Sequence, residues 1–370
     1  MLKKDLNLII SVLQEDVNKQ ESPIDWYSVL GFLQSHRVDL FFYRKAILQG
    51  ITIPEQIEKL LIEQKRFRTL LCQKNRSYIE RIGDAFEKRL KKYAFLKGSV
   101  LSGTHFEQVA NKYYSTRRFP QKIQIYCEGE RNGNDIDILV RQADLAVVHE
   151  ILSSLGFRQG VYDCKTNQFI PFTRQEIIKR RMTRGETAPY ILLTGDKLKP
   201  FVEVDINFSV DNEPDNQWVE FLLIDTVLQE GIRTLEQSKF FLHLVLHQYK
   251  ESVVFEMWKR KKNQSLYKLL DLYLLLSNGL VSLGQLWHYC KDSKIKGICY
   301  TVLQDLADVF TGLKKNYSFV KFIEDVKCVK EQLLVYDYNT KTYFKTTQGI
   351  KDRYIEFDQL NYLKGITEND

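Results

Sequence analysis

Cysteine is sparse and unpaired in this sequence. Cys72, Cys127, Cys164, Cys290, Cys299 and Cys328 form no Cys-x-x-Cys pair, which excludes the usual zinc ribbons and, in a chain of 370 residues, argues against a disulfide-held scaffold. Proline and glycine number only 7 and 18, so few breakers interrupt the chain and helix is favoured. No apolar run approaches membrane-spanning length. The start, Met1-Leu2-Lys3-Lys4-Asp5-Leu6, is basic, but Asp5 and then Glu15-Asp16 interrupt any signal-peptide core. The expectation is a reduced, soluble, cytoplasmic protein without a membrane partner. A net charge of +7 is compatible with anionic ligands yet too small to single out nucleic acid, and no DNA-binding module is visible, so a template-directed polymerase is disfavoured.

The length suggests two or three subdomains. Residues 1–92 read as a helical region: Trp26 to Leu33 carries apolar residues at helical spacing after Ser22-Pro23, and Glu55 to Lys92 is a long charged amphipathic segment. From Tyr93 the pattern changes, and residues 93–212 read as a core of mixed sheet and helices. Tyr93-Ala94-Phe95-Leu96 is an apolar strand that turns at Lys97-Gly98-Ser99 into a helix start. Gln121 to Cys127 and Asp135 to Val140 read as strands, and Leu145 to Leu155 as a helix closed by Gly156. Thr173-Arg174-Gln175-Glu176 is a capping-box signature opening a basic helix through Arg181. Pro200 to Phe208 alternates strictly, with Val202, Val204, Ile206 and Phe208 on one side and Glu203, Asp205 and Asn207 on the other. Residues 213–370 read as mainly helical, with Ser238 to Tyr249 and Leu266 to Ser277 the clearest elements and a terminal hairpin over Leu333 to Thr347. The fold class expected is α+β.

The chemistry concentrates at Asp135-Ile136-Asp137. Residues i and i+2 of a strand share a face, so two carboxylates stand together, and each is driven towards protonation unless a cation lies between them. Hard oxygen donors suit Mg²⁺. Taken singly, each piece has an ordinary explanation: an Asp-x-Asp can be a strand end, Gly-Ser a simple turn, and Glu203-x-Asp205 an exposed edge. In order along the chain, however, a Gly-Ser turn after a strand, an Asp-x-Asp strand and a later strand with a third carboxylate make a set.

That set resembles the nucleotidyltransferases of the DNA polymerase beta-like superfamily, and more narrowly a poorly characterised bacterial nucleotidyltransferase family. The matching residues are Phe95-Leu96-Lys97-Gly98-Ser99, Asp135-Ile136-Asp137-Ile138-Leu139-Val140, Leu155-Gly156-Phe157 and Val204-Asp205-Ile206-Asn207-Phe208; the segment Trp26 to Lys45 and the His243-x-x-x-His247 helix are also similar, over roughly residues 25–280. The resemblance implies an Mg²⁺-dependent enzyme, with two ions, that moves a nucleoside monophosphate from a nucleoside triphosphate such as ATP to a hydroxyl or phosphate of a small-molecule or peptide acceptor, releasing pyrophosphate. It implies Asp135, Asp137 and Asp205 as catalytic metal ligands, with Asp205 nearest to general-base work. Backbone N–H groups at Gly98 and Ser99, with Lys97, would hold the triphosphate.

Two features depart from the family pattern. Ser99 and Asp135 stand 36 positions apart, so 104–134 reads as an insertion, with Tyr113 to Arg118 placed to lie over the site. Asn207 occupies a position where the family often has His. Arg180 and Arg181 are read as nucleotide contacts, against a solvated helix end as the plain alternative, and Lys197 and Lys199 are weaker phosphate candidates. His243 and His247 share a helical face, but no Glu follows His243 and no third ligand is near, so packing is favoured over zinc. Rival functions are a non-catalytic nucleotide-binding or partner-binding protein on the same fold, and a protein-nucleotidylating regulator or antitoxin.

Overall fold

A computed structural model describes residues 3–16, 23–109, 121–131, 133, 135–210, 217–263, 265–291, 293–327, 334–347, 349–355 and 359–365. The chain divides into two compact units, one made of Lys65–Phe106 and Lys122–His243, the other of Met1–Gln64, Glu107–Gln121 and Leu244–Asp370. Secondary structure is mixed α+β, with an eight-stranded sheet in the first unit.

Across that sheet the strands run Gln168–Pro171, Arg158–Asp163, Tyr190–Leu193, Phe201–Asn207, Asp135–Val140, Tyr93–Phe95, Ile232–Thr234 and Val227–Gln229. Two neighbouring pairs are parallel, Asp135–Val140 with Phe201–Asn207 and Tyr93–Phe95 with Ile232–Thr234; the rest are antiparallel. The alternation read in Pro200 to Phe208 is realised: Val202, Val204 and Ile206 are fully buried while Phe201, Glu203, Asp205 and Asn207 are half-buried.

The register shows which residues share a face. Ile138 lies opposite Ile206 and Phe95, and Tyr190 opposite Val204, so these apolar side chains share one face. Helices cover it. Gly83 of the helix Glu55–Glu87 comes so near that a Cβ there would meet the Phe95 ring at 3.6 Å, and Phe86 packs edge-on to Tyr93 at 5.2 Å. From the helix Leu145–Ser154, His149 reaches the Tyr190 hydroxyl at 3.0 Å. Truncating a ring as buried as Phe95 to Ala would cost about 3–5 kcal/mol. The carboxylates of Asp135, Asp137, Glu203 and Asp205 belong to the other face.

Local signals explain the joints. Gly156, at φ +91°, ends the Leu145–Ser154 helix in the left-handed region, and the Thr173/Glu176 capping box forms at the start of Arg174–Arg184. The stretch after Trp218 is less helical than its sequence reads. Glu230 and Gly231, both with positive φ, make a two-residue turn that pairs Ile232 with Gln229, the geometry of a primed hairpin turn. Glu-Gly is a less familiar version of that turn than Asn-Gly, which hides the two strands that widen the sheet beyond Tyr93. Of Gln121 to Cys127, only Lys122–Gln124 is strand, paired with His105–Glu107 in a two-stranded sheet outside the main one.

The second unit is built on helices. Lys3–Gln14, Asp39–Leu48, Leu266–Ser277 and Ser293–Val309 are among the longest, and Leu266–Ser277 buries side chains all around its circumference. An antiparallel sheet of Leu334–Asp337, Thr342–Thr346 and Leu363–Gly365 lies towards the C-terminus. Among the described residues, no helix is long and apolar enough to cross a membrane.

Candidate active site

Parallel pairing sets Asp137 directly beside Asp205 and Asp135 beside Glu203. One carboxylate oxygen from each of Asp135, Asp137 and Asp205 lies within 4.8 Å of the others, and among the described residues this is the one group of three or more His, Cys, Asp or Glu that could hold a metal ion. Asp137 is buried, whereas Asp135 and Asp205 are half-buried. The Lys97 ammonium donates to Asp137 Oδ1 at 2.7 Å, and Asn207 Nδ2 approaches the same oxygen at 3.4 Å.

Lys97 reaches that oxygen from an unusual backbone. Its φ of +52° is left-handed for a residue with a Cβ, a conformation that costs on the order of 1 kcal/mol or more. The bend carries the chain from Tyr93–Phe95 into the short helix Gly98–Leu101, and Leu96 N–H bonds the Asp137 carbonyl at 3.0 Å.

Electrostatics at the cluster favour bound cations. Burial, reinforced by the charges of Asp137, Asp135, Glu203 and Glu186, pushes the Asp205 carboxyl well above the usual carboxylate range. Burial also raises Asp137, opposed by Lys97 and assisted by Asp135. Carboxyls with raised proton affinity, gathered in one place, gain most from a cation that neutralises several at once.

Beside the carboxylates lies a close-packed turn. A Cβ on Gly98 would stand 3.2 Å from Gly133 N and 3.4 Å from Arg131 Nη1, so only glycine fits without displacing backbone. Asn75 Nδ2 donates to the Gly133 carbonyl at 3.3 Å. Cys72, Asn75, Gly98, Ser99, Gly133 and Asp135 line a small groove here. The first N–H groups of a helix have no acceptor within it, and those of Gly98 and Ser99 belong to the turn that edges this groove.

The structure thus brings Lys97, Gly98, Ser99, Asp135, Asp137 and Asp205 together. It places Arg180 and Arg181 elsewhere: Arg180 lies over the Phe172 ring at 4.5 Å, and the charge of Arg181 is felt at Tyr190, on the sheet face opposite the carboxylates. His247 sits 3.6 Å from Glu251. Tyr113 to Arg118 lie outside the described residues. Arg131 and Asn75 belong to the site without having been singled out in the sequence. Arg131 stands only four positions before Asp135, but its contact with Gly98 arises from tertiary packing.

The family described as an uncharacterised nucleotidyltransferase matches residues 124–311, just over half of the chain. Comparisons with curated proteins and with solved structures find no match. The matched span contains the Asp135, Asp137 and Asp205 strands whose carboxylates converge, and the chain belongs to this nucleotidyltransferase family.

Proposed function

We propose that this protein transfers a nucleoside monophosphate from a nucleoside triphosphate, ATP in the first instance, to a hydroxyl or phosphate of a small-molecule or peptide acceptor, with release of pyrophosphate. The observation that carries the reading is the convergence of three carboxylates from two parallel strands within 4.8 Å. It sits beside the turn that opens the short helix Gly98–Leu101, in a chain of a nucleotidyltransferase family. We place the catalytic centre in the polymerase beta-like class.

The donor set fits Mg²⁺: hard carboxylate oxygens, close together, whose burial and mutual repulsion raise their affinity for any positive charge. Asp135 and Asp137 would hold one ion, and with Asp205 they would hold a second. When bound, such ions neutralise phosphate charge and acidify an acceptor hydroxyl. The chain's own groups do the rest. Gly98 and Ser99 N–H groups would bind phosphate oxygens, and Lys97, tethered to Asp137 at 2.7 Å, supplies a cation where those oxygens arrive. Asp205, whose carboxyl burial and neighbouring charges raise well above the usual range, would take the acceptor's proton. Arg131, packed against Gly98, would hold the turn in shape.

Pyrophosphate release, measured with each of the four nucleoside triphosphates and Mg²⁺, tests the reading. Wild type should release pyrophosphate with at least one of them. Asp137→Asn should lower the rate by more than about a hundredfold, as loss of a charged ligand at such a centre does, while its circular dichroism stays native. Undiminished release by Asp137→Asn would refute the assignment.

A further inference from the structure

Lys199 stands just before the strand Phe201–Asn207 and is only 9 % exposed. The turn carrying it is locked by its own bonds. Thr194 N–H donates to the Pro200 carbonyl at 3.0 Å, Asp196 N–H to Thr194 Oγ1 at 3.0 Å, and Leu198 N–H to Asp196 Oδ1 at 2.8 Å. Thr194 Oγ1 donates to the Lys199 carbonyl, and Lys74 pairs with Asp196. The backbone of Lys199 is therefore fixed before any ligand arrives.

Its side chain is not accounted for in the same way. Among the described residues no hydrogen bond or ion pair engages the ammonium. The acidic groups whose charge reaches it are Asp135 and Glu203, which oppose the fall in its pKa that burial causes. An enclosed ammonium without a hydrogen-bonded anion is unfavourable, and the locked turn fixes where this one starts from. Asp135 and Glu203 are the first registered pair of the two parallel strands. Lys199, four residues before Glu203, thus lies beyond the same strand end as Gly133, against which the Gly98 turn packs. The Gly98 turn flanks that strand end from one side and Lys199 from the other.

We propose that Lys199 binds the β- and γ-phosphates of the nucleotide and holds the charge of the departing pyrophosphate. This rests on the nucleotidyl-transfer reading above. In that step the acceptor oxygen bonds to the α-phosphorus and its proton passes to Asp205. The bond from the α-phosphorus to the bridging oxygen breaks, with its electron pair leaving on pyrophosphate. Lys199 stays protonated throughout and faces the oxygens on which negative charge accumulates. A lysine serving only to balance Asp135 and Glu203 would leave phosphate binding untouched.

Calorimetric titration of the full chain with inorganic pyrophosphate, ATP and AMP, each with Mg²⁺, separates these roles. Lys199→Met keeps the aliphatic stem and removes the charge. It should weaken pyrophosphate and ATP about tenfold or more, the worth of a charge-assisted hydrogen bond, and leave AMP unchanged; Lys199→Arg should retain most of the affinity. In the unaltered protein, pyrophosphate but not AMP should slow acetylation of Lys199, read by mass spectrometry, so the result does not depend on a variant folding. Equal pyrophosphate affinity in Lys199→Met, equal loss of AMP, or labelling indifferent to pyrophosphate overturns this inference alone. A wild type that binds neither ATP nor pyrophosphate overturns the transfer reading with it.

Discussion

Asp205→Asn should make the metal-free protein more stable while weakening its binding of divalent cations. Carboxylate oxygens within 4.8 Å of one another repel by about 3–4 kcal/mol per ionised pair at an effective dielectric near 20. Asp205 has two such neighbours, Asp135 and Asp137. The native protein can relieve the repulsion by keeping a proton on Asp205, at about 1.4 kcal/mol for each pH unit above the ordinary value of 3.8. At pH 7 that escape caps the penalty at about 4 kcal/mol, so replacing the carboxylate by a neutral amide should recover about 1–4 kcal/mol. In thermal melting this is a rise of several degrees, at about 2–4 °C per kcal/mol for a unit of this size. The sign with pH follows from the direction of the shift. A carboxyl raised in the folded state stabilises the fold at acid pH, and that contribution is lost as pH climbs through its folded value. The gap between variant and wild type should therefore be small near pH 5 and widest near pH 8. Excess Mn²⁺ should narrow or reverse it, since a ligand at a hundredfold over its dissociation constant adds about 2.7 kcal/mol to wild type and less to the variant, which lacks one of the three carboxylates. A variant no more stable than wild type at pH 8 in chelator, or one that gains as much from Mn²⁺ as wild type, would show that these three groups do not share a site.

Mn²⁺ affinity of the wild type should rise with pH, because the cation must displace protons that burial and neighbouring charge hold on Asp205 and Asp137; calorimetry in two buffers of different ionisation enthalpy should register net proton release, and its absence would contradict the shifts. Gly98→Ala puts a methyl 3.2 Å from Gly133 N, so ATP affinity should fall by roughly tenfold while unfolding free energy changes by about 1 kcal/mol, read by titration and urea melting; unaltered ATP affinity would mean the turn does not touch the phosphates.

Some of this site is written plainly in the sequence. Asp135-Ile136-Asp137 and the alternation from Val202 to Phe208 need only the two-residue period of a strand to predict which side chains share a face, and Lys97-Gly98-Ser99 marks a turn by composition. Their convergence follows once the two strands pair in parallel, a long-range event that neither segment encodes alone. Arg131 and Asn75 were not legible for the same reason: each matters through contact with Gly98 or Gly133, brought near by tertiary packing. The surroundings of Arg180 were equally hidden. A basic helix end looks like a phosphate contact, yet Arg180 covers an aromatic ring that only folding puts beneath it. The strands Val227–Gln229 and Ile232–Thr234 were hidden by their brevity and by a Glu-Gly turn.

The in-register match of Asp137 with Asp205 ties the carboxylate cluster to one alignment of the two strands. A slip by one residue would bring Ile206 or Val204 next to Asp137 and thrust Asp205 among the aromatics under the sheet. Only the correctly aligned chain gathers the three carboxylates that could hold a metal ion, so strand alignment and the candidate site stand or fall together.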